Sequence, residues 1–102
     1  MAIKKKAIAP TPVIITDPKE AVQVLQRFMR ESNFSPFQIN GSRARYARVS
    51  QIVDWGLANG IAYDKGWLGR SLNAAAKAGM RVTAMTATGS DGERFTIYRN
   101  SR

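Results

Sequence analysis

Two consecutive stretches decide the fold: 64-DKGWLGRSLNAAAKAG-79 and 82-VTAMTATGSDGERFTIYR-99. In the first, Leu68, Leu72, Ala75 and Ala76 recur at helical spacing and form one apolar stripe. Asp64 precedes the stripe as an N-cap and Gly79 follows it as the left-handed stop, so a helix is predicted from Asp64 to about Ala78. In the second stretch the period changes to two. Phe95 and Ile97 alternate with Arg94, Thr96 and Tyr98, and Gly89-Ser90-Asp91-Gly92 supplies a turn. Placing Thr88 opposite Glu93 sets Thr86 against Phe95, Ala84 against Ile97 and Val82 against Arg99. Val82, Ala84, Phe95 and Ile97 then share an apolar face, and Thr83, Met85, Thr96 and Tyr98 a mixed one. A helix followed by a β-hairpin is the expectation.

Working back from Asp64, Ile61 to Asp64 is a short connection, and Asn59-Gly60 ends a preceding helix. That second helix is predicted from Arg43, with Ser42 as its cap and Tyr46, Val49, Ile52, Val53 and Leu57 as its apolar positions. Gly56 inside it costs about 1 kcal/mol against alanine, which implies a close helix–helix approach at that point. Phe37-Gln38-Ile39 reads as one short strand. Further upstream, Asp17, Pro18 and Glu20 mark a helix start close to a capping box, with Ala21, Val22, Leu25, Phe28 and Met29 on its inner face. This first helix ends near Ser32-Asn33. Pro10 and Pro12 forbid helix before it, so residues 1–16 read as a basic flexible arm and 17–102 as the domain. Within the arm, Val13-Ile14-Ile15 is apolar enough to pack onto the domain as an extended piece.

Charge is the strongest global signal. Sixteen Lys and Arg stand against seven Asp and Glu, a formal charge of +9, in a chain whose 44% hydrophobic content is that of a folded domain. Asp17, Glu20, Asp64 and Asp91 all fall where caps and turns want an anion, leaving Glu31, Asp54 and Glu93 as acids without a local task. The remaining surface is therefore almost uniformly positive, as suits a polyanionic partner. The chain has no Cys and no His. Disulfides, thiolate chemistry and the usual transition-metal sites are excluded, and the commonest general base is missing. No phosphate-cradling Gly-Lys-Ser/Thr motif and no close pair of spare carboxylates is present. The expectation is a non-enzymatic protein, without cofactor or metal, that is intracellular and makes no membrane contact.

Two helices joined by a tight connection form the skeleton of a helix-turn-helix, whose second member enters the DNA major groove. Opposite the apolar stripe of the 64–78 helix lie Gly66, Arg70, Asn73 and Lys77 on one face. Arginine suits guanine and asparagine suits adenine through paired hydrogen bonds, while Lys65 and Lys77 suit phosphates. Gly66 and Gly69 would let the helix backbone approach a duplex closely. Arg43, Arg45 and Arg48 flank the start of the second helix, where a phosphate clamp fits, and Lys4, Lys5 and Lys6 make the arm a phosphate-touching tail. Any outward helix face carries polar residues, so the bare pattern also suits a solvated surface. Trp55 and Trp67 fall off the stripes and read as core or self-association residues. Tyr63 with Trp67 could alternatively stack on bases, which would favour single strands or RNA.

The order helix, short strand, helix, helix, hairpin over residues 17–99 resembles the winged helix-turn-helix family of DNA-binding domains. The resemblance rests on Ile52 to Gly60, the connection before Asp64, the Leu68/Leu72 helix with Gly79, and the hairpin. It implies an α+β fold with three helices and a C-terminal hairpin, and a third helix that reads the major groove through Lys65, Arg70, Asn73 and Lys77. It also implies a wing, Thr88 to Arg94, on the DNA backbone or minor groove. Two features depart from the family: the loop tip Ser90-Asp91-Gly92-Glu93 is acidic, leaving Arg94 as the wing's best cation, and the second helix is long. Double-stranded DNA binding with a transcription-regulatory role is the leading expectation. RNA or single-strand binding and a protein-interaction adaptor are the alternatives, and homodimerisation through the first helix or Trp55 stays open.

Overall fold

A computed structural model describes residues 11–38 and 44–101. Lys4, Lys5, Lys6, Ile39, Ser42 and Arg43 lie outside the described residues. The elements run β1 (Pro12–Val13), α1 (Pro18–Glu31), β2 (Ala47–Arg48), α2 (Val49–Ala58), β3 (Ala62–Tyr63), α3 (Lys65–Lys77), β4 (Val82–Thr88) and β5 (Arg94–Asn100). The fold is α+β: three helices against a three-stranded antiparallel sheet of order β2-β5-β4, with a two-stranded parallel pair, β1-β3, at its flank.

Local chemistry explains the helix starts. Asp17 accepts from the Lys19 amide at 3.0 Å and Asp64 from the Trp67 amide at 2.9 Å, which satisfies donors that α1 and α3 leave open. The inner faces of these helices, Ala21, Leu25 and Phe28 on α1 and Leu68, Leu72 and Ala75 on α3, are wholly buried and meet Ile52 of α2 in one core. Residues 12–15 belong to that core's edge. Val13 pairs in parallel with Tyr63, Ile15 is buried, and the buried Ser71 hydroxyl donates to the Ile15 carbonyl at 2.6 Å.

The second helix departs from its predicted start. It begins at Val49, not Arg43, because Ala47 and Arg48 pair with Tyr98 and Ile97 of β5 instead. Tyr46, predicted on the helix, forms an antiparallel bridge to Phe37 and is buried there. Of the described residues of the predicted 37–39 strand, Phe37 alone bridges, and α2 is short. Arg48 takes the N-cap position in extended conformation, and the Gln51 side chain accepts from its amide at 2.9 Å.

The hairpin is present in a register one residue away from the predicted one. Thr88 pairs with Arg94, Ala84 with Tyr98 and Val82 with Asn100. The cause is the loop. The Gly92 amide donates to Gly89 and the Gly89 amide to Glu93, so the connection is a three-residue loop ending in Gly92 at φ +84°. Asp91 braces it by accepting from the Glu93 amide at 3.0 Å. A one-residue slip exchanges the faces. Tyr98, at 2% exposure, therefore joins Val82 and Ala84 on the helix side, and Ile97 lies on the opposite face with Phe95, where it is also fully buried.

Gly56 answers to close approach, though not between helices. A Cβ there would stand 2.7 and 2.8 Å from the Tyr63 ring and 2.9 Å from the Ile61 carbonyl oxygen. The Ile61 backbone cannot withdraw freely, because its amide donates to the Gly56 carbonyl at 2.8 Å. Alanine gains about 1 kcal/mol of helix propensity, whereas forced overpacking costs about 1–3 kcal/mol. Gly56→Ala is expected to lower the melting temperature despite the better helix former; a rise in a thermal melt would contradict this packing.

Candidate nucleic-acid interface

An open groove of about 440 Å³ runs between the outward side of α3 and the sheet. Lys65, Gly66, Gly69, Arg70 and Asn73 of α3 line one wall. Arg48, Val49 and Ser50 close one end, and Phe95, Thr96 and Tyr98 of β5 form the floor. Three cations and no carboxylate line it. The volume falls in the range of small-ligand sites, and arginines and glycine backbone stand among its apolar walls.

Three polar side chains of the groove, Arg48, Arg70 and Asn73, are held from behind. The Arg48 guanidinium lies over the Phe95 ring at 4.1 Å and that of Arg70 over Trp67 at 5.1 Å. The Tyr98 hydroxyl donates to Asn73 Oδ1 at 3.1 Å. Burial raises the pKa of Tyr98 above its ordinary value, so the hydroxyl keeps its proton. At the groove's end α2 offers its positive N-terminus, with no acid in its first turn.

Glycine at 66 and 69 is not required by packing. A Cβ at Gly66 would meet only Asp64 Oδ2 at 3.7 Å, and one at Gly69 would meet Val49 and Tyr98 at 3.7 and 3.9 Å, ordinary contacts. Alanine would favour the helix by about 1 kcal/mol at either position. Keeping glycine at both leaves the helix backbone accessible from the groove.

Arginines on this molecule rest on rings more than on acids. Arg27 lies over Trp55, Arg45 over Phe34 and Arg99 over Tyr46, in addition to the two pairs in the groove. Five such pairs far exceed the usual frequency of about one per 70–80 residues. Acids are scarce because they are spent locally: Asp17, Asp64 and Asp91 bind backbone amides, and Glu31 pairs with Arg27 at 3.1 Å. An arginine stacked on a ring keeps its in-plane donors available, unlike one in a bidentate pair with a carboxylate.

The predicted site residues divide accordingly. Arg48, Lys65, Arg70 and Asn73 converge on the groove. Arg45, Lys77 and Arg94 do not line it: Arg45 is exposed over Phe34, Lys77 is exposed in the last turn of α3, and Arg94 is exposed at the start of β5. Arg48 arrives from a strand end and not from within a long helix start. Ser50, Phe95, Thr96 and Tyr98 were not foreseen; counting the hairpin with a three-residue loop would have turned Tyr98 inward. Trp67, read as a core or self-association residue, is not in the core and is 39% exposed. Trp55 does pack on the core, edge-on to Phe28 at 5.7 Å. Tyr63 lines a different groove with Glu20 and Arg27, so it shares no platform with Trp67. There burial raises the Tyr63 hydroxyl pKa, and Arg27 pulls it the other way. No helix among the described residues is long and apolar enough to cross a membrane. Comparison with protein-family models, curated protein sequences and solved structures gives no match.

Proposed function

We propose that this chain is a non-enzymatic, duplex-DNA-binding protein of winged helix-turn-helix type with a transcription-regulatory role. The observation that carries this is the convergence of Arg48, Lys65, Arg70 and Asn73, from two separate segments, on one groove without an acidic lining residue. The strand order supports the winged assignment: the short β2 pairs with β5, the second strand of the hairpin, and α2, β3 and α3 lie between β2 and the hairpin. In this reading α3 enters the major groove with Arg70 and Asn73 at base edges, and Arg48 with Lys65 on phosphates. In this reading Lys77, Arg94 and Arg45 supply further phosphate contacts outside the groove, and Arg43, Lys4, Lys5 and Lys6 add to the positive charge of the chain.

Titrating a labelled duplex at rising salt tests the proposal. The two groove cations on phosphates, Arg48 and Lys65, give a slope of log affinity against log salt of about −1.8, and each further contact steepens it by about 0.9. An affinity that ignores salt would sink the reading. A second reading, single-strand or RNA binding, draws on the exposure of Trp67 beside Arg70. In a competition assay single strands would then displace the duplex; on the first reading they do not.

A further inference from the structure

The amide of Asn73 is a two-pronged reader, and one prong is engaged before any ligand arrives. The Tyr98 hydroxyl, on a residue 2% exposed in the floor, donates to Asn73 Oδ1 at 3.1 Å and lies 3.4 Å from the Gly69 carbonyl. A hydroxyl has one proton to give, and the shorter contact takes it. Asn73 itself is exposed. Its Oδ1 prong is turned to the floor and its Nδ2 prong is left to the groove.

An asparagine reads adenine by using both prongs on one base edge: Oδ1 accepts from N6 and Nδ2 donates to N7. With Oδ1 turned inward, only a donor remains, and N7 is common to both purines. The rest of the decision falls to the neighbours. Arg70, the one set at base edges, carries only donors and suits the O6 of guanine, whereas the N6 amino group of adenine would face donor against donor. Resting on the duplex reading above, we propose that Tyr98 is a specificity-positioning residue: by holding Asn73 Oδ1 to the floor it makes the purine beneath Asn73 guanine and not adenine.

The test is selection from a random duplex pool with the full chain and with Asn73→Ala, Tyr98→Phe and Asn73→Asp. The position read by Asn73 is the one whose preference Asn73→Ala abolishes. Wild type is expected to favour guanine over adenine there by about tenfold. Tyr98→Phe frees the amide to turn and should bring the two purines within about threefold of each other. Asn73→Asp, at an exposed position that does not endanger folding, replaces the outward donor with an acceptor and should penalise guanine. Adenine at that position in the wild-type sites overturns the proposal. So does an unchanged preference in Tyr98→Phe or in Asn73→Asp, each checked for a wild-type-like melt. Salt-dependent duplex binding with no base preference at that position overturns this proposal alone, whereas failure of wild type to retain any duplex overturns the duplex reading beneath it.

Discussion

Replacing Arg48 and Arg70 together with alanine is expected to weaken duplex binding about a hundredfold at low salt and to flatten the salt dependence by about 0.9 of slope, the share of the phosphate contact that Arg48 makes. Both guanidiniums line the groove, and each is stacked on a ring, Phe95 at 4.1 Å and Trp67 at 5.1 Å. Stacking fixes the plane of the fork before binding, so less side-chain entropy is lost when its donors engage. Neither arginine bridges to an acid, so their removal leaves no buried charge unpaired, and the variant should melt close to wild type. The two halves of the pair are separable. Arg70→Ala should weaken preferred sites more than random duplex, because Arg70 faces base edges, and Arg48→Ala should weaken both alike. Fluorescence anisotropy on one preferred and one scrambled duplex measures this. A double variant within twofold of wild type on both would show that the groove is not the contact surface.

The parts of this groove differ in how far they can be read from sequence, for a physical reason. Lys65, Arg70 and Asn73 sit on a helix whose cap, stripe and stop are all local: Asp64 binds the Trp67 amide, Leu68 and Leu72 are buried, and Gly79 has φ +76°. Spacing alone then places polar residues on the opposite face. Tyr46, Ala47 and Arg48 carry no such local signal. Tyr46 fits a helical stripe as well as an extended chain, and only its bridge to Phe37 and the pairing of Ala47 and Arg48 with β5, some fifty residues on, select the extended form. Arg48 is also a poor cap by composition, so nothing in the sequence marks where α2 begins.

The hairpin fails in a narrower way. Its existence and turn follow from Gly89 to Gly92, but its register depends on whether Gly92 adds a residue to the loop, and an even count moves every side chain to the wrong face. That single residue hid the role of Tyr98, which the alternative register sets on a mixed outer face. Both faces of β5 are apolar at Ile97 and Tyr98, so hydrophobic pattern could not arbitrate. The support of a site is thus less legible than its contacts. Contacts on one helix obey a local period, whereas Phe95 behind Arg48 and Tyr98 behind Asn73 are joined only through the tertiary register.

The largest expected loss of stability comes from Phe28→Ala. Phe28 is fully buried on α1, tilted against Phe34 at 4.5 Å and edge-on to Trp55 of α2 at 5.7 Å. It joins three segments distant in sequence: the helix that carries it, the chain leading toward β2, and α2. Each of these rings also carries an arginine, Trp55 Arg27 at 5.5 Å and Phe34 Arg45 at 4.8 Å, which restrains their collapse into the space that alanine leaves. A core phenylalanine truncated where neighbours relax little costs about 3–5 kcal/mol. Against a total of about 5–15 kcal/mol for a small domain, that is a large share. At about 4–8 °C per kcal/mol the melting temperature should fall by at least about 12 °C. Phe28 does not line the groove, so whatever fraction remains folded in the cold should bind duplex with wild-type affinity. Thermal melts and a binding titration well below the variant's midpoint separate the two effects. A shift under about 5 °C would mean that the Phe34 and Trp55 rings repack around the deletion, and that the arginines above them do not restrain them.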